Sequence, residues 1–270
     1  MSFLAQRVWF VLLRCLLLAL SLLLPSLALA GAWTLERGET KAFVVSTFTY
    51  GDQGFDDDGH LITVPEYQKF ELTAALEHGV RPWLTVLLKG ELREETVDTL
   101  VVPRLMLPVS KSFGAVSGGA RLRLYKAPNW VFSTQWTAMS GGFDDAGQSA
   151  PSDGAAVEAR ALFGVGRTVL GKHAFADIQA AYRVGLKSDD PDEMRFDVTV
   201  GSQLTPRTLV LGQTFSTFEV DAPVHYHKVG VSAVRRLNDR VQIEVGGLAT
   251  VYGRNALQEY GGKVGFWYNF

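Results

Sequence analysis

Along most of this chain of 270 residues, apolar and polar positions alternate one for one. Phe70, Leu72, Ala74 and Leu76 take turns with Lys69, Glu71, Thr73 and Glu77. Leu84, Val86, Leu88 and Leu92 alternate with Thr85, Lys89, Glu91 and Arg93, and Ala120, Leu122 and Leu124 with Arg121, Arg123 and Tyr125. The pattern returns where Ile178, Ala180 and Val184 meet Asp177, Gln179 and Arg183, where Phe196 and Val198 meet Arg195 and Asp197, and where Ile243 and Val245 meet Gln242 and Glu244. A period of two is that of a β-strand with unlike faces. About twelve strands are predicted, near 41–50, 67–78, 83–93, 118–126, 130–140, 154–167, 173–186, 194–204, 208–218, 225–237, 241–252 and 257–270. In the ninth, either Leu209, Leu211 and Phe215 or Val210, Gly212 and Thr214 point outward.

The connections alternate too. One set is tight and holds a basic residue each: GVRP at 79–82, KAPN at 126–129, LGK at 170–172, TPR at 205–207 and NDR at 238–240. The other set is mostly longer and acidic, as in GDQGFDDDGH at 51–60, GGFDDAGQ at 141–148 and SDDPDE at 188–193. A soluble β-sandwich would share the alternation. It would not place Arg121, Arg160, Asp177 and Arg195 on one face while gathering Tyr50, Tyr67, Trp83, Tyr125, Trp130, Tyr252, Trp267 and Tyr268 at strand ends, where a bilayer interface holds aromatics. The predicted fold is all-β: a single transmembrane antiparallel β-barrel of about 12 strands, with short turns and both termini on the periplasmic side.

Residues 1–30 form a separate object. Arg7 and Arg14 precede an apolar run from Cys15 to Leu24, broken by Pro25 and followed by the small residues of Ala28-Leu29-Ala30. This is the pattern of a cleaved signal peptide, with cleavage expected after Ala30. Residues 31–270 then form one barrel domain without cysteine, and loss of Arg7 and Arg14 takes the formal net charge from −2 to −4. No basic excess exists to drive nucleic-acid binding. The expected location is the cell outer membrane, with outer-membrane lipid and lipopolysaccharide as surroundings.

Two resemblances add to this reading. The ending KVGFWYNF, with Lys263, Gly265, Tyr268 and Phe270 in register, resembles the C-terminal signal by which the barrel-assembly machinery recognises bacterial outer-membrane proteins. The stretch YQKFELTAALEHGVRPWLTV at 67–86 and the segment GAWTLERGETKAFVVSTFTYGDQGFDDDG at 31–59 resemble the outer-membrane proteins named after the meta-pathway of phenol degradation. In that family a strand ends in Glu-Tyr-Gly; here His78 stands for the tyrosine and Val80-Arg81-Pro82 makes the turn. The resemblance implies a channel for passive uptake of small solutes, aromatic or weakly acidic, and carries no catalytic motif.

The candidate chemistry lies on the inward faces. The expected pore lining is Lys69, Glu71, Lys89, Glu91, Arg121, Arg123, Glu158, Arg160, Asp177, Arg183, Arg195, Asp197, Glu244 and Lys263, with Arg121 and Arg123 as the constriction. Such a ring of cations favours anions; the same charges, paired, would instead prop a closed barrel. Residues 94–119, interrupted by Pro103 and Pro108, either fold into the mouth with Leu105, Met106 and Leu107 as contacts or extend as strands beyond the membrane. Asp56-Asp57-Asp58-Gly59 is a fragment of a calcium loop without its distal glutamate, so no metal is expected. No cofactor is expected either. His225 and His227 should face lipid together, flanking Tyr226, with no hydrolase serine context to make an enzyme. The competing functions are a closed structural or surface-interaction barrel and, further off, a lipid-modifying enzyme.

Overall fold

The protein is described from a computed structural model covering residues 31–102, 105–140, 154–169, 171–187, 190–220 and 222–270; for 99–102 and 105–108 the description extends to the backbone only. Twelve strands form: β1 Thr40–Phe55, β2 Leu61–Arg81, β3 Leu84–Val102, β4 Leu105–Lys126, β5 Trp130–Met139, β6 Ala156–Val169, β7 Lys172–Gly185, β8 Glu193–Thr205, β9 Thr208–Glu219, β10 His225–Arg236, β11 Val241–Arg254 and β12 Ala256–Asn269. Each pairs antiparallel with its chain neighbours and β1 pairs with β12, closing the barrel. The seam runs from Lys41↔Asn269 to Phe55↔Ala256 and shifts once, between Tyr50 and Gln53. Closure pairs every strand on both sides along the barrel wall, which lets a sheet this apolar avoid edge-to-edge aggregation; only the β3–β4 hairpin runs on past its outer neighbours.

The outer face is the apolar one. Val44, Phe48, Phe70, Leu88, Leu92, Ile178, Phe196, Val231, Val245, Val264 and Phe266 all stand exposed on it. Aromatic pairs mark both rims: Tyr125 stacks on Trp130 at 4.6 Å near the short turns, and Tyr50 meets Tyr260 edge-on at 5.4 Å near the opposite rim. Such a belt is stable only against hydrocarbon. Val231→Lys, at mid-strand, is therefore expected to cost about 2–4 kcal/mol in a bilayer, while Val231→Ile should be nearly neutral. Urea unfolding in lipid vesicles reads the difference, and equal midpoints would place that face out of the lipid.

Several expectations on facing are resolved. In β9, Leu209 and Leu211 are buried inside the barrel, so Val210, Gly212 and Thr214 point outward. Tyr67 and Trp267 were expected in the interface belt, and both turn inward instead. Tyr67 is buried, and Trp267 packs against Phe43 at 5.9 Å on the face of Lys263 and Gly265. Both obey the alternation of their strands, which outweighs the aromatic preference for the interface.

β2, β3 and β4 have 21, 19 and 22 residues, about twice what a tilted strand needs to cross a bilayer. The 94–119 segment is thus mostly strand, with β3 and β4 paired from Leu84↔Leu122 up to Val102↔Leu105. Leu105, Met106 and Leu107 belong to β4, so their backbone does not fold into the mouth as a loop; their side chains lie outside the described residues. Pro108 faces Asp98 within this hairpin.

At the same rim, Asp56 closes the β1–β2 connection. Its Oδ1 accepts the N–H groups of Asp58 at 3.0 Å and His60 at 2.8 Å. These bonds, the His60 N–H above all, hold the Asp56 carboxyl below its usual range. The triad of aspartates thus spends its first carboxylate on its own turn. The acidic stretch at 141–148 lies outside the described residues, as do two residues of the one at 188–193.

Candidate functional site

The site is the lumen, and its floor is made by the chain that precedes β1. Residues 31–39 enter the barrel at the short-turn rim and run across it. Ser133 Oγ donates to Ala32 O at 2.5 Å, Thr34 Oγ1 to Pro82 O at 2.6 Å, and Leu35 N to Thr85 Oγ1 at 2.9 Å. Arg121 Nη1 donates to Trp33 O at 3.2 Å. At the exit, Gly38 N donates to Gly79 O at 2.7 Å and Gly79 N to Glu39 O at 2.9 Å. Side chains of the wall thus satisfy a backbone that has no ladder of its own, as a buried segment requires.

Trp33 anchors the segment. It packs with Ala32 on Val131 and Leu162 and meets Phe175 edge-on at 6.1 Å. Its ring fills the space over Gly164, where a Cβ would come within 2.5–2.9 Å, so a glycine is needed there. Leu209, Leu211 and Val234 are buried on the inner faces of β9 and β10, with Leu211 beside Phe175 over Gly201. The short-turn half of the lumen therefore mixes apolar packing around Trp33 with a few buried charges, Arg121, Asp177 and Glu244, rather than the evenly charged interior expected from the alternation.

The other half is charged, and the charges are paired. On the β6–β8 wall, Arg160 reaches Glu158 at 2.9 Å and Asp197 at 2.6 Å and donates to Gln179 Oε1 at 2.6 Å. Arg195 pairs with Glu193 at 2.6 Å and Glu158 at 3.5 Å, and Arg183 with Glu193 at 2.9 Å. Across the lumen, Glu259 lies between Lys228 and Lys69, and Lys263 pairs with Glu244 at 2.7 Å. Most of these side chains are nearly dry. Lys89 and Glu91 on β3 are not: they pair at 2.7 Å with side chains 43% and 35% exposed, which marks a wet seam along that wall.

All fourteen residues expected to line the interior alternate onto the inner face. They do not form one ring. Arg121 is 5% exposed and is held by Glu77 at 3.1 Å and by Gln135 Oε1 at 3.1 Å, so it fastens the N-terminal segment. Arg123 lies nearer the rim, beside the irregularity between Arg123 and Tyr125, and Glu71 is half-buried on β2. Sequence reasoning missed residues 31–39 altogether. The available signal was GAWTL, an apolar stretch ahead of the first alternating strand with nothing in sequence to cover it.

On the outer face, His225 and His227 stand together as expected, 6.0 Å apart, among Phe218 and Tyr252. His227 Nδ1 is 2.8 Å from Ser216 Oγ, a serine that sequence reading did not single out. Among the described residues no acid or amide bonds to His227, the contact that orients the base in a hydrolytic triad.

This geometry defines a class by fold: a twelve-stranded barrel of the outer-membrane type, its floor closed by its own N-terminal segment. Among solved structures, the chain is similar to an outer membrane channel from Pseudomonas putida F1, at 12% identity over 91% of this chain and 100% of that one, with a TM-score of 0.63. It is also similar to the translocator domain of autotransporter NalP from Neisseria meningitidis (10% identity, 86% and 89% covered, TM-score 0.54) and to the NanC porin (9% identity, 84% and 100% covered, TM-score 0.50). No protein-family model matches the chain, and no curated protein sequence does.

Proposed function

We propose that this protein is an outer-membrane channel for passive entry of small solutes, with residues 31–39 as the closure at its periplasmic end. The observation that carries this reading is the contrast inside the lumen. Charges on the β6–β8 wall are paired and mostly shielded, while the Lys89–Glu91 pair stays open to water and puts the proposed path on the side of β3. That path ends on a segment held by single hydrogen bonds rather than by a strand ladder. The outer-membrane channels and porins among the similar structures support a channel. The resemblance of 31–59 and 67–86 to the meta-pathway proteins favours aromatic or weakly acidic solutes. Lys263, Gly265, Tyr268 and Phe270 would present the strand to the assembly machinery, and the acidic rim would face lipopolysaccharide.

Proteoliposome swelling tests this. Vesicles holding the folded protein should swell in small monovalent carboxylates such as benzoate and remain inert in a disaccharide. Folded protein that admits neither would favour the closed structural barrel, in which the paired charges serve only as filling.

A further inference from the structure

Asp177 is the most deeply buried carboxylate described in the lumen, with 1% of its surface exposed. Among the described residues no lysine, arginine or histidine forms an ion pair with it. Its Oδ2 accepts Ala32 N at 2.7 Å, and its Oδ1 accepts Gln179 Nε2 at 2.5 Å. Arg121 and Arg160 act on it only from beyond ion-pair distance, and two neutral donors are a thin direct compensation for a charge taken out of water. The group that lies against it is Gly31. A Cβ built on Gly31 would collide with both carboxylate oxygens, and its φ is +101°, which side chains rarely adopt. The collision alone carries over to a chain that begins at Gly31, which has no preceding carbonyl and hence no φ. The nitrogen of Gly31 shares the same Cα, so it lies only ~2.5 Å from that Cβ position. It is therefore within about 5 Å of the carboxylate, inside ion-pair range.

The sequence marks the same bond independently. The small residues of Ala28-Leu29-Ala30 place the expected processing point between Ala30 and Gly31. Hydrolysis there gives the water oxygen to the Ala30 carboxylate and leaves the Gly31 nitrogen as an amine, which takes up a proton. We propose that processing creates the missing cation: the α-ammonium of Gly31 seats against Asp177 inside the barrel, and this pair locks the N-terminal segment in place. An acylated nitrogen carries no charge and cannot do so. The seat is thereby available only to the processed chain, whether or not the barrel conducts.

The test uses protein exported and processed in the outer membrane. Intact mass should show a chain beginning at Gly31. An α-amine-selective aldehyde reagent at neutral pH, read by mass spectrometry of the N-terminal peptide, should modify Gly31 about tenfold or more slowly in the folded barrel than in urea. Asp177→Asn should restore most of the fast rate, and so should Gly31→Ala, which crowds the carboxylate. A chain beginning elsewhere, or a wild-type amine as reactive folded as unfolded, would overturn the proposal. So would an Asp177→Asn protein that folds and still protects its amine. Should Asp177→Asn fail to fold, the wild-type comparison alone decides.

Discussion

A chain lacking residues 31–38 should form the same barrel and pass several-fold more current per channel than the full-length protein. The barrel does not need the segment: β1 begins at Thr40, and its pairing with β2 and β12 starts at Thr40 and Lys41. The segment's own balance is close. Six hydrogen bonds to the wall contribute about 6 kcal/mol net, and burial of Ala32, Trp33 and Leu35 about 5 kcal/mol more. Ordering eight residues costs about 8–16 kcal/mol. A segment so nearly balanced can be displaced without unfolding the wall. Gly164→Val should act in the same direction by pushing on the Trp33 ring, with a smaller rise in current and greater quenching of tryptophan fluorescence. Single-channel recording in planar bilayers reads both variants. Equal conductance in the truncated and full-length proteins would assign the obstruction to Leu209, Leu211, Val234 and Phe175 on the wall itself.

The wall was legible in the sequence because its physics is local. A strand between lipid and lumen must alternate, so Phe70/Lys69 or Ile178/Asp177 reports its facing from two adjacent letters. β9 was ambiguous for a stated reason. Its inner positions, Leu209 and Leu211, are as apolar as its outer ones, because they complete the apolar floor around the N-terminal segment. That floor was not legible. Residues 31–39 contact β2 to β7, 48–145 positions away in sequence for the bonds of Thr34 and Ala32, and nothing local encodes such reach. The same gap explains Arg121. Its place on the inner face follows from alternation, whereas its role as a clamp on Trp33 O and Glu77 depends on what else enters the lumen.

Arg160 offers the clearest measure of how dry that lumen is. Its guanidinium serves Glu158, Asp197 and Gln179 at once, and its side chain is 12% exposed. Arg160→Met keeps much of the volume, leaves Asp197 without its cation and leaves Glu158 with Arg195 alone. Removing one partner of a buried pair typically costs 3–5 kcal/mol, and a loss of about that size is expected in urea unfolding from lipid vesicles. Lys89→Met should cost under about 1 kcal/mol, because Lys89 and Glu91 are paired in contact with water. Adding Glu158→Gln and Asp197→Asn to Arg160→Met should recover most of the loss, since the penalty lies in the stranded charges rather than in the missing bond. If Arg160→Met costs no more than Lys89→Met, water reaches both walls and the hydrated path is wider than the seam along β3. The mutant series therefore maps the aqueous part of the lumen by stability alone, independently of any solute that crosses it.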